Sequence, residues 1–249
     1  MGTGKLQDKV AVITGGSSGI GLATAALFKA EGARVVMVGR NRERLEQARA
    51  HLGNEVFALL ADVSRPDELH ALMEQVGQTC GRIDVLFANA GLSDCPALLD
   101  TDEAFFDELM GINLKGTFFA FTHALPWMAE GASVIFTSSV IQQRGRPGDV
   151  LYAASKAAVR SLARTLAVEA QVLDKGIRVN VVSPGAIRTP MTARASEDPA
   201  IRAWVEAQVP MGRWGEVEEV ARAVLFLASS DGSYLTGGEI AVDGGLGQV

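Results

Sequence analysis

The sequence predicts an α/β fold: one doubly wound domain over residues 1–249, built on a seven-stranded, mainly parallel sheet with helices on both faces. Short apolar runs alternate with helical periodicity along the chain, the pattern of strands joined by crossover helices. The runs are apolar throughout rather than at every second residue, as in strands covered on both faces. The first run also ends in a glycine-rich turn that leads directly into a helix.

The first strand is expected at Val10–Ile13, halted by Gly15-Gly16, and helical spacing follows through Ile20, Ala23, Leu27 and Ala30 to Gly32. Val35–Val38 is the second strand, Arg42–Leu52 a charged surface helix, and Val56–Leu60 the third strand. Ser64-Arg65-Pro66 opens the next helix, since proline suits the first turn, where its missing N–H costs nothing. Ile83–Phe87 is the fourth strand. A single long helix is expected over Thr101–Leu125, disturbed at its end by Pro126, which cannot continue the hydrogen-bond ladder. Val134–Phe136 is the fifth strand, Tyr152–Leu173 a second long helix, and Ile177–Val182 the sixth strand, stopped by Pro184-Gly185. Val217–Leu227 reads as helix and Glu239–Val242 as the last strand. Residues 186–215, with Pro190, Pro199 and Pro210, are too long for an ordinary connection and are expected to form a mobile substrate lid.

Composition sets the class. Of 249 residues, 48% are hydrophobic and 21% charged, enough to build a large core and too apolar for disorder. With 29 acidic against 23 basic residues the net charge is -6, which excludes a general nucleic-acid binder. Cys80 and Cys95 form no CxxC and have no Cys/His cluster nearby, so neither a metal site nor a disulfide framework is expected. Met1–Val12 holds no long apolar segment, and no run of 18 apolar residues follows, so neither a leader nor a membrane span is expected. The cytoplasm is the expected location.

The glycine loop is Thr14-Gly15-Gly16-Ser17-Ser18-Gly19-Ile20-Gly21. Glycines at 15, 19 and 21 allow a tight turn, close approach of backbone to a pyrophosphate, and close packing of helix on strand. Free amides at the helix start then face the phosphates. Such a loop at the first strand–helix junction predicts a Rossmann-type dinucleotide site.

The TGxxxGxG spacing resembles the short-chain dehydrogenase/reductase family, and the resemblance runs from about Lys9 to Gly245. Asp62-Val63 is similar to that family's adenine-contacting pair, and Ala88-Asn89-Ala90-Gly91 to its NAG motif. Asn113, Ser139 and Tyr152-Ala153-Ala154-Ser155-Lys156 resemble its catalytic tetrad. Pro184-Gly185-Ala186-Ile187-Arg188-Thr189 resembles its PGxxxT segment, which implies contact with the nicotinamide end.

The end of the second strand bears on which nicotinamide is used. A carboxylate there accepts hydrogen bonds from the adenosine ribose hydroxyls and repels a 2′-phosphate. This chain has Gly39 at that place, followed by Arg40, with further donors on Asn41 and Arg42. Arg40 suits bidentate pairing with a phosphate, so NADP is expected in preference to NAD. Ser17 and Ser18 stand where many NADP-preferring relatives carry a second basic residue.

Carbonyl reduction needs a hydride donor, an acid for the developing alkoxide, and dipoles that hold the carbonyl. A phenol is a weak acid, with a reference pKa of about 10, and a nearby ammonium favours its ionised form. Tyr152 and Lys156, four residues apart on a helix, share a face. Ser139, at the C-terminal end of the fifth strand, is placed to donate to the substrate oxygen. Ser138 competes for that role, and the separation of Ser139 from Tyr152 matches the family. The resemblance further implies that Lys156 holds the nicotinamide ribose and that Asn113 supports a water relay to Lys156. His51, His70 and His123 are expected to be surface or packing residues, and Trp127, Trp204 and Trp214 packing residues.

The expected function is hydride transfer between NADP(H) and a ketone or secondary alcohol. The alternatives are a 3-oxoacyl thioester reductase and a non-catalytic dinucleotide sensor, although a sensor can lose Tyr152 or Lys156 and this chain keeps both. Enoyl reductases of the family are set aside because their tyrosine-to-lysine spacing is longer. The substrate pocket is expected around Ser139, Ile141, Gln142 and Tyr152 together with the lid, and its apolar residues suggest an apolar substrate. The resemblance implies a homotetramer. The C-terminal tail, Gly244–Val249, fits either a subunit contact or a frayed end.

Overall fold

A computed structural model describes residues 4–249. Met1–Thr3, part of the segment read for a leader and of the domain expected over 1–249, lie outside the described residues. The strands are β1 (Val10–Thr14), β2 (Arg34–Gly39), β3 (Phe57–Leu60), β4 (Ile83–Ala88), β5 (Met128–Thr137), β6 (Arg178–Pro184) and β7 (Glu239–Val242). They form one Rossmann-type sheet in the order β3-β2-β1-β4-β5-β6-β7, and every pairing is parallel. The order reverses between β1 and β4, and the crevice at such a switch point is where ligands of open α/β sheets bind.

Helices α1 (Gly19–Ala30) and α2 (Arg42–Leu52) cover one face with α10 (Val217–Ala228). Their apolar stripes, including Phe28, Leu45, Val220 and Val224, are buried against Ile13, Met37, Phe87 and Ile135 of the sheet. On the other face lie α3 (Pro66–Cys80), α4 (Glu103–Met110), α5 (Gly116–Ala124) and α6 (Val150–Leu166). There Leu69, Met73, Phe121 and Val159 pack on Val12, Leu86, Val134 and Phe136. Local chemistry fixes the helix starts. Asn41 caps α2 by accepting from Arg44 N at 2.9 Å, and Glu216 with Glu219 forms a reciprocal capping box at α10. The remaining helices are short: α7 (Ala170–Leu173), α8 (Ala193–Glu197) and α9 (Pro199–Glu206). Among the described residues no helix is long and apolar enough to cross a membrane.

Four details differ from the expectations. The first long helix begins at Glu103, because Asp102 caps it by accepting from Phe105 N at 2.8 Å. A π turn over Gly111–Lys115 then interrupts it, and Pro126 lies in a 3-10 turn beyond its end. The second long helix starts at Val150 and ends at Leu166; Glu169, in extended backbone, separates it from α7. Strand β5 is much longer than the apolar run Val134–Phe136, since parallel pairing with β4 and β6 recruits residues beyond that run. Coverage on both faces holds for the inner strands but not for the edge strands β3 and β7, which stay half-exposed.

Candidate active site

The glycine loop follows β1 at the switch point. Gly15 and Gly19 adopt φ of 67° and 52°, a region that only glycine enters without strain. A Cβ on Gly21 would run into the Gly15 carbonyl oxygen, so the first turn of α1 folds directly onto the loop. Ser18 caps α1 without a side-chain hydrogen bond, and no acidic residue lies in the first turn. The leading amides, including that of Ile20, are thus neither capped by the Ser18 hydroxyl nor opposed by a carboxylate, as a phosphate site requires. Thr189 and Pro190, from the PGxxxT segment after β6, lie against Gly19. Ile187 of that segment is buried and bridges to Gly215, while Gly185 N donates to Val242 O at 3.0 Å.

Thr14, the last residue of β1, organises the neighbouring strand end. Its Oγ1 accepts from Asn89 N at 3.0 Å and Ala90 N at 3.1 Å, and Asn89 Nδ2 donates to Thr14 O at 3.3 Å. Thr137, at the end of β5, donates its hydroxyl to Asn89 Oδ1 at 3.2 Å and offers its carbonyl to Lys156 Nζ at 2.9 Å. These two threonines carry no role in the sequence reading, yet they join the ends of β1, β4 and β5 into one floor. The signal available was a polar residue closing an otherwise apolar strand.

Lys156 is 3% exposed, and burial lowers its pKa to about 8. An ammonium has three donors, and one is used on Thr137. Its Nζ lies 5.8 Å from the centre of the Tyr152 ring. Tyr152 is half-buried; desolvation pushes its phenol up, and a hydrogen bond with Ser139 opposes that shift. Ser139 Oγ also accepts from Ile141 N at 3.3 Å. The two candidate serines part company here: Ser138 is buried, and its hydroxyl donates to Lys156 O at 2.9 Å, which ties β5 to α6.

Asn113 lies in the π turn and is fully buried. Its Nδ2 donates to Leu92 O at 2.9 Å and Ser155 Oγ at 3.0 Å, and its Oδ1 accepts from Leu92 N at 2.8 Å. A Cβ on Gly91 would stand 3.4 Å from both Asn113 Oδ1 and Lys156 Nζ, so Gly91 keeps the space between them open. The structure therefore brings Asn113, Ser139, Tyr152 and Lys156 to one end of the sheet, beside the glycine loop.

Comparisons with known proteins bear on these observations. A family model described as enoyl-(acyl carrier protein) reductase matches residues 15–247. A 3-oxoacyl-[acyl-carrier-protein] reductase of Thermotoga maritima is 40% identical over 97% of this chain and 99% of its own. The chain belongs to the short-chain dehydrogenase/reductase family. A glucose 1-dehydrogenase of Gluconobacter oxydans is 38% identical over 97% of this chain and 93% of its own. A solved structure titled Pseudomonas aeruginosa RhlG/NADP active-site complex superposes with a TM-score of 0.92 at 32% identity, covering 99% of this chain and 100% of that one. The chain is thus an oxidoreductase of a family that binds a nicotinamide dinucleotide and acts on C=O or CH–OH groups. Its relatives carry different activities, a 3-oxoacyl-[acyl-carrier-protein] reductase among them and a glucose 1-dehydrogenase.

Other predicted short-chain dehydrogenase/reductase positions fall around this centre. At the end of β2, a Cβ on Gly39 would lie 3.4 Å from Ser17 Oγ, so this strand end sits against the glycine loop. Arg40 is half-exposed and pairs with Glu108 of α4 at 3.6 Å. Asp62 accepts from Ser64 N and Oγ at 2.9 and 2.8 Å, which fixes the turn after β3, and Val63 is buried beneath α5. The start of α5 is what Val63 packs against: a Cβ on Gly116 would meet the Val63 carbonyl oxygen at 2.8 Å. Ile141 is buried beside Ser139. The Gln142 side chain instead donates to Glu239 Oε1 of β7 at 3.0 Å, a partner that sequence reasoning missed. Glu239 also receives Arg160 Nε at 2.8 Å and the Ser183 hydroxyl, so it locks the segment after Ser139 to α6 and β6.

Segment 186–215 contains α8 and α9. Val205, Val209 and Trp214 form a small core of their own with Leu246 of the tail. The tail is not frayed: Asp243 accepts from Gly245 N and Gly247 N at 2.9 and 2.8 Å, and Arg144 donates to Leu246 O at 2.7 Å. Trp204, by contrast, is exposed on α9. His70 and His123 meet edge to face between α3 and α5, with Phe119 stacked on His123.

Proposed function

We propose that this chain interconverts ketones and secondary alcohols with NADP(H), using Tyr152 as general acid and base. The observation that carries this reading is the convergence of Tyr152, Ser139 and Lys156 at the C-terminal ends of the strands, beside a glycine loop shaped for a pyrophosphate. The residues fit the cofactor: the Gly15–Gly21 loop and the start of α1 would hold the pyrophosphate, Asp62 and Val63 the adenine side, and Asn89, Ala90 and Gly91 the middle. Lys156 would hold the nicotinamide ribose through its remaining donors, and Pro184, Gly185, Ile187 and Thr189 the nicotinamide. Gly39, Arg40 and Asn41 would receive a 2′-phosphate.

When bound, the reduced nicotinamide supplies the hydride that goes to the carbonyl carbon. Ser139 donates a hydrogen bond to the carbonyl oxygen and holds it near Tyr152. Tyr152 gives its phenolic proton to that oxygen as the alkoxide forms, and the product is the alcohol. Lys156, as an ammonium in a buried setting, stabilises the phenolate left behind. Asn113 and Lys156 border the space that Gly91 keeps open, and Asn113 lies on the path by which the proton is replaced. In the oxidative direction the phenolate takes the hydroxyl proton. Segment 186–215 and Ile141 close the pocket over the substrate.

The test is consumption of NADPH and NADH, run in parallel against a panel of ketones, aldoses and 3-oxoacyl thioesters. Oxidation of NADPH by ketones is the expected result. The similarity to a 3-oxoacyl-[acyl-carrier-protein] reductase favours a second reading, and activity confined to the thioesters would establish it in place of the first. Tight cofactor binding with no turnover on any substrate would favour a dinucleotide sensor.

A further inference from the structure

Arg40 is not a free cation waiting at the end of β2. Its Nη1 lies 3.6 Å from Glu108 Oε1, the only ion pair that Arg40 makes among the described residues. The two partners come from opposite sides of the switch point: Arg40 follows β2, whereas Glu108 sits in α4, after β4. The pair spans a surface groove that Asp62, Ser64, Asp107 and Lys115 also line. Carboxylates from two elements, the turn after β3 and α4, thus line the groove with Arg40.

We infer that Glu108 is a specificity-determining residue that competes with a 2′-phosphate for Arg40 and so holds down the preference for NADP over NAD. This inference rests on the NADP reading of Arg40 given above. An arginine fork can take a phosphate through two parallel hydrogen bonds, and a doubly charged phosphate is a stronger partner than one carboxylate. The Arg40–Glu108 pair is half-exposed on both sides, and exposed ion pairs are weak, so it yields to a phosphate. The yielded carboxylate stays within a few ångström of the incoming phosphate, and that like-charge repulsion opposes NADP alone. NAD presents hydroxyls at the same place, feels no such repulsion, and leaves the pair intact. Glu108 thus acts as a counterweight to Gly39, whose missing carboxylate removes the repulsion found in NAD-preferring relatives.

The test is calorimetric titration of the purified chain with NADP+, NAD+, adenosine 2′,5′-bisphosphate and AMP, for the parent and for Glu108→Gln, Glu108→Lys and Arg40→Gln. Glu108 is exposed on α4, so its replacement leaves the fold intact, and glutamine keeps its size. Glu108→Gln is expected to tighten NADP+ and the bisphosphate by about three- to tenfold, the effect of removing one like charge a few ångström away in a water-like dielectric. NAD+ and AMP should stay within about twofold, Glu108→Lys should gain more, and both gains should shrink at high salt. Equal changes for the phosphorylated and unphosphorylated ligands, or no change, would overturn the inference. Weaker NADP+ binding in Glu108→Gln would overturn it too, because Glu108 would then be holding Arg40 in place for the phosphate. Failure of the underlying NADP reading looks different: Arg40→Gln would leave the NADP+ to NAD+ ratio unmoved, and the roles of both residues would fall together.

Discussion

Tyr152, half-buried, and Lys156, buried, have opposite protonation problems in the same corner. Desolvation raises the phenol and lowers the ammonium to about 8, so around neutral pH both hold their protons. In the mechanism proposed above, a protonated Tyr152 is the form that reduction needs, and a charged Lys156 is the form that lets it give the proton up. As pH rises through about 8, Lys156 loses its charge and the phenolate its support. The kcat/KM for carbonyl reduction is therefore expected to fall above pH about 8. In Lys156→Arg, whose guanidinium stays charged, that limb should vanish from whatever activity remains. A pH–rate profile of the two proteins checks this. The same shift has a sign in stability: between pH about 8 and 10.5 the unfolded chain holds a proton on Lys156 that the folded chain has released, so this group makes the fold more stable as pH rises through that window. Tyr152→Phe removes only a hydroxyl. It is expected to lower turnover by at least about a hundredfold, the scale of general acid catalysis, while NADP+ affinity measured by calorimetry stays within about twofold.

At the scale of elements, the π turn over Gly111–Lys115 and the loop at Gly15–Gly21 do the most to shape the site. The π turn adds a residue to one turn of helix, and Asn113 sits within it with both ends of its amide engaged, by Leu92 and Ser155. Helical periodicity over Thr101–Leu125 reads as a continuous helix, because an inserted residue shifts the phase of the pattern without breaking it. That is why Asn113 could be matched to a family position but not placed from spacing. The glycine loop is the opposite case, since its residues are needed for local reasons that a sequence states directly. Gly21→Ala puts a methyl against the Gly15 carbonyl oxygen and forces strand and helix apart. It is expected to cost about 1–3 kcal/mol, the usual scale of overpacking, and to weaken NADP+ binding as well. Thermal unfolding with and without NADP+ measures both effects.

At the scale of the whole molecule, segments far apart in sequence meet on the substrate side. Arg144, just beyond Ser139, donates to Leu246 O in the tail at 2.7 Å and to Gln208 Oε1 after α9 at 3.3 Å. Leu246 completes the small core of Val205, Val209 and Trp214. The tail thus straps the later part of segment 186–215 to the strand end that carries Ser139, whereas Thr189 and Pro190 at its start lie against the glycine loop. Deleting residues 244–249 is expected to raise KM for the ketone several-fold and to leave the dissociation constant of NADP+ within about twofold; steady-state kinetics beside calorimetry separate the two. Arg144→Ala should move the same way by less. Apolar Phe106 and Phe118 remain exposed on α4 and α5. With the implied tetramer, light scattering should give about four times the chain mass, and Phe118→Asp should lower it.

The sequence by itself determined the alternation of strand and helix, the parallel sheet and the glycine loop, and it nominated Asn113, Ser139, Tyr152 and Lys156 as candidates. Those features depend on local periodicity, on backbone freedom, or on motifs short enough to read in a line. Only the tertiary structure gave a physical reason for preferring Ser139, which the spacing to Tyr152 nominates: the Ser138 hydroxyl is spent on Lys156 O of α6. It alone turned Gln142 toward Glu239, bound the tail to Arg144, and set Glu108 against Arg40. Each of these pairings joins residues more than 60 apart in the chain, and no local pattern carries the partner of a side chain across such a distance.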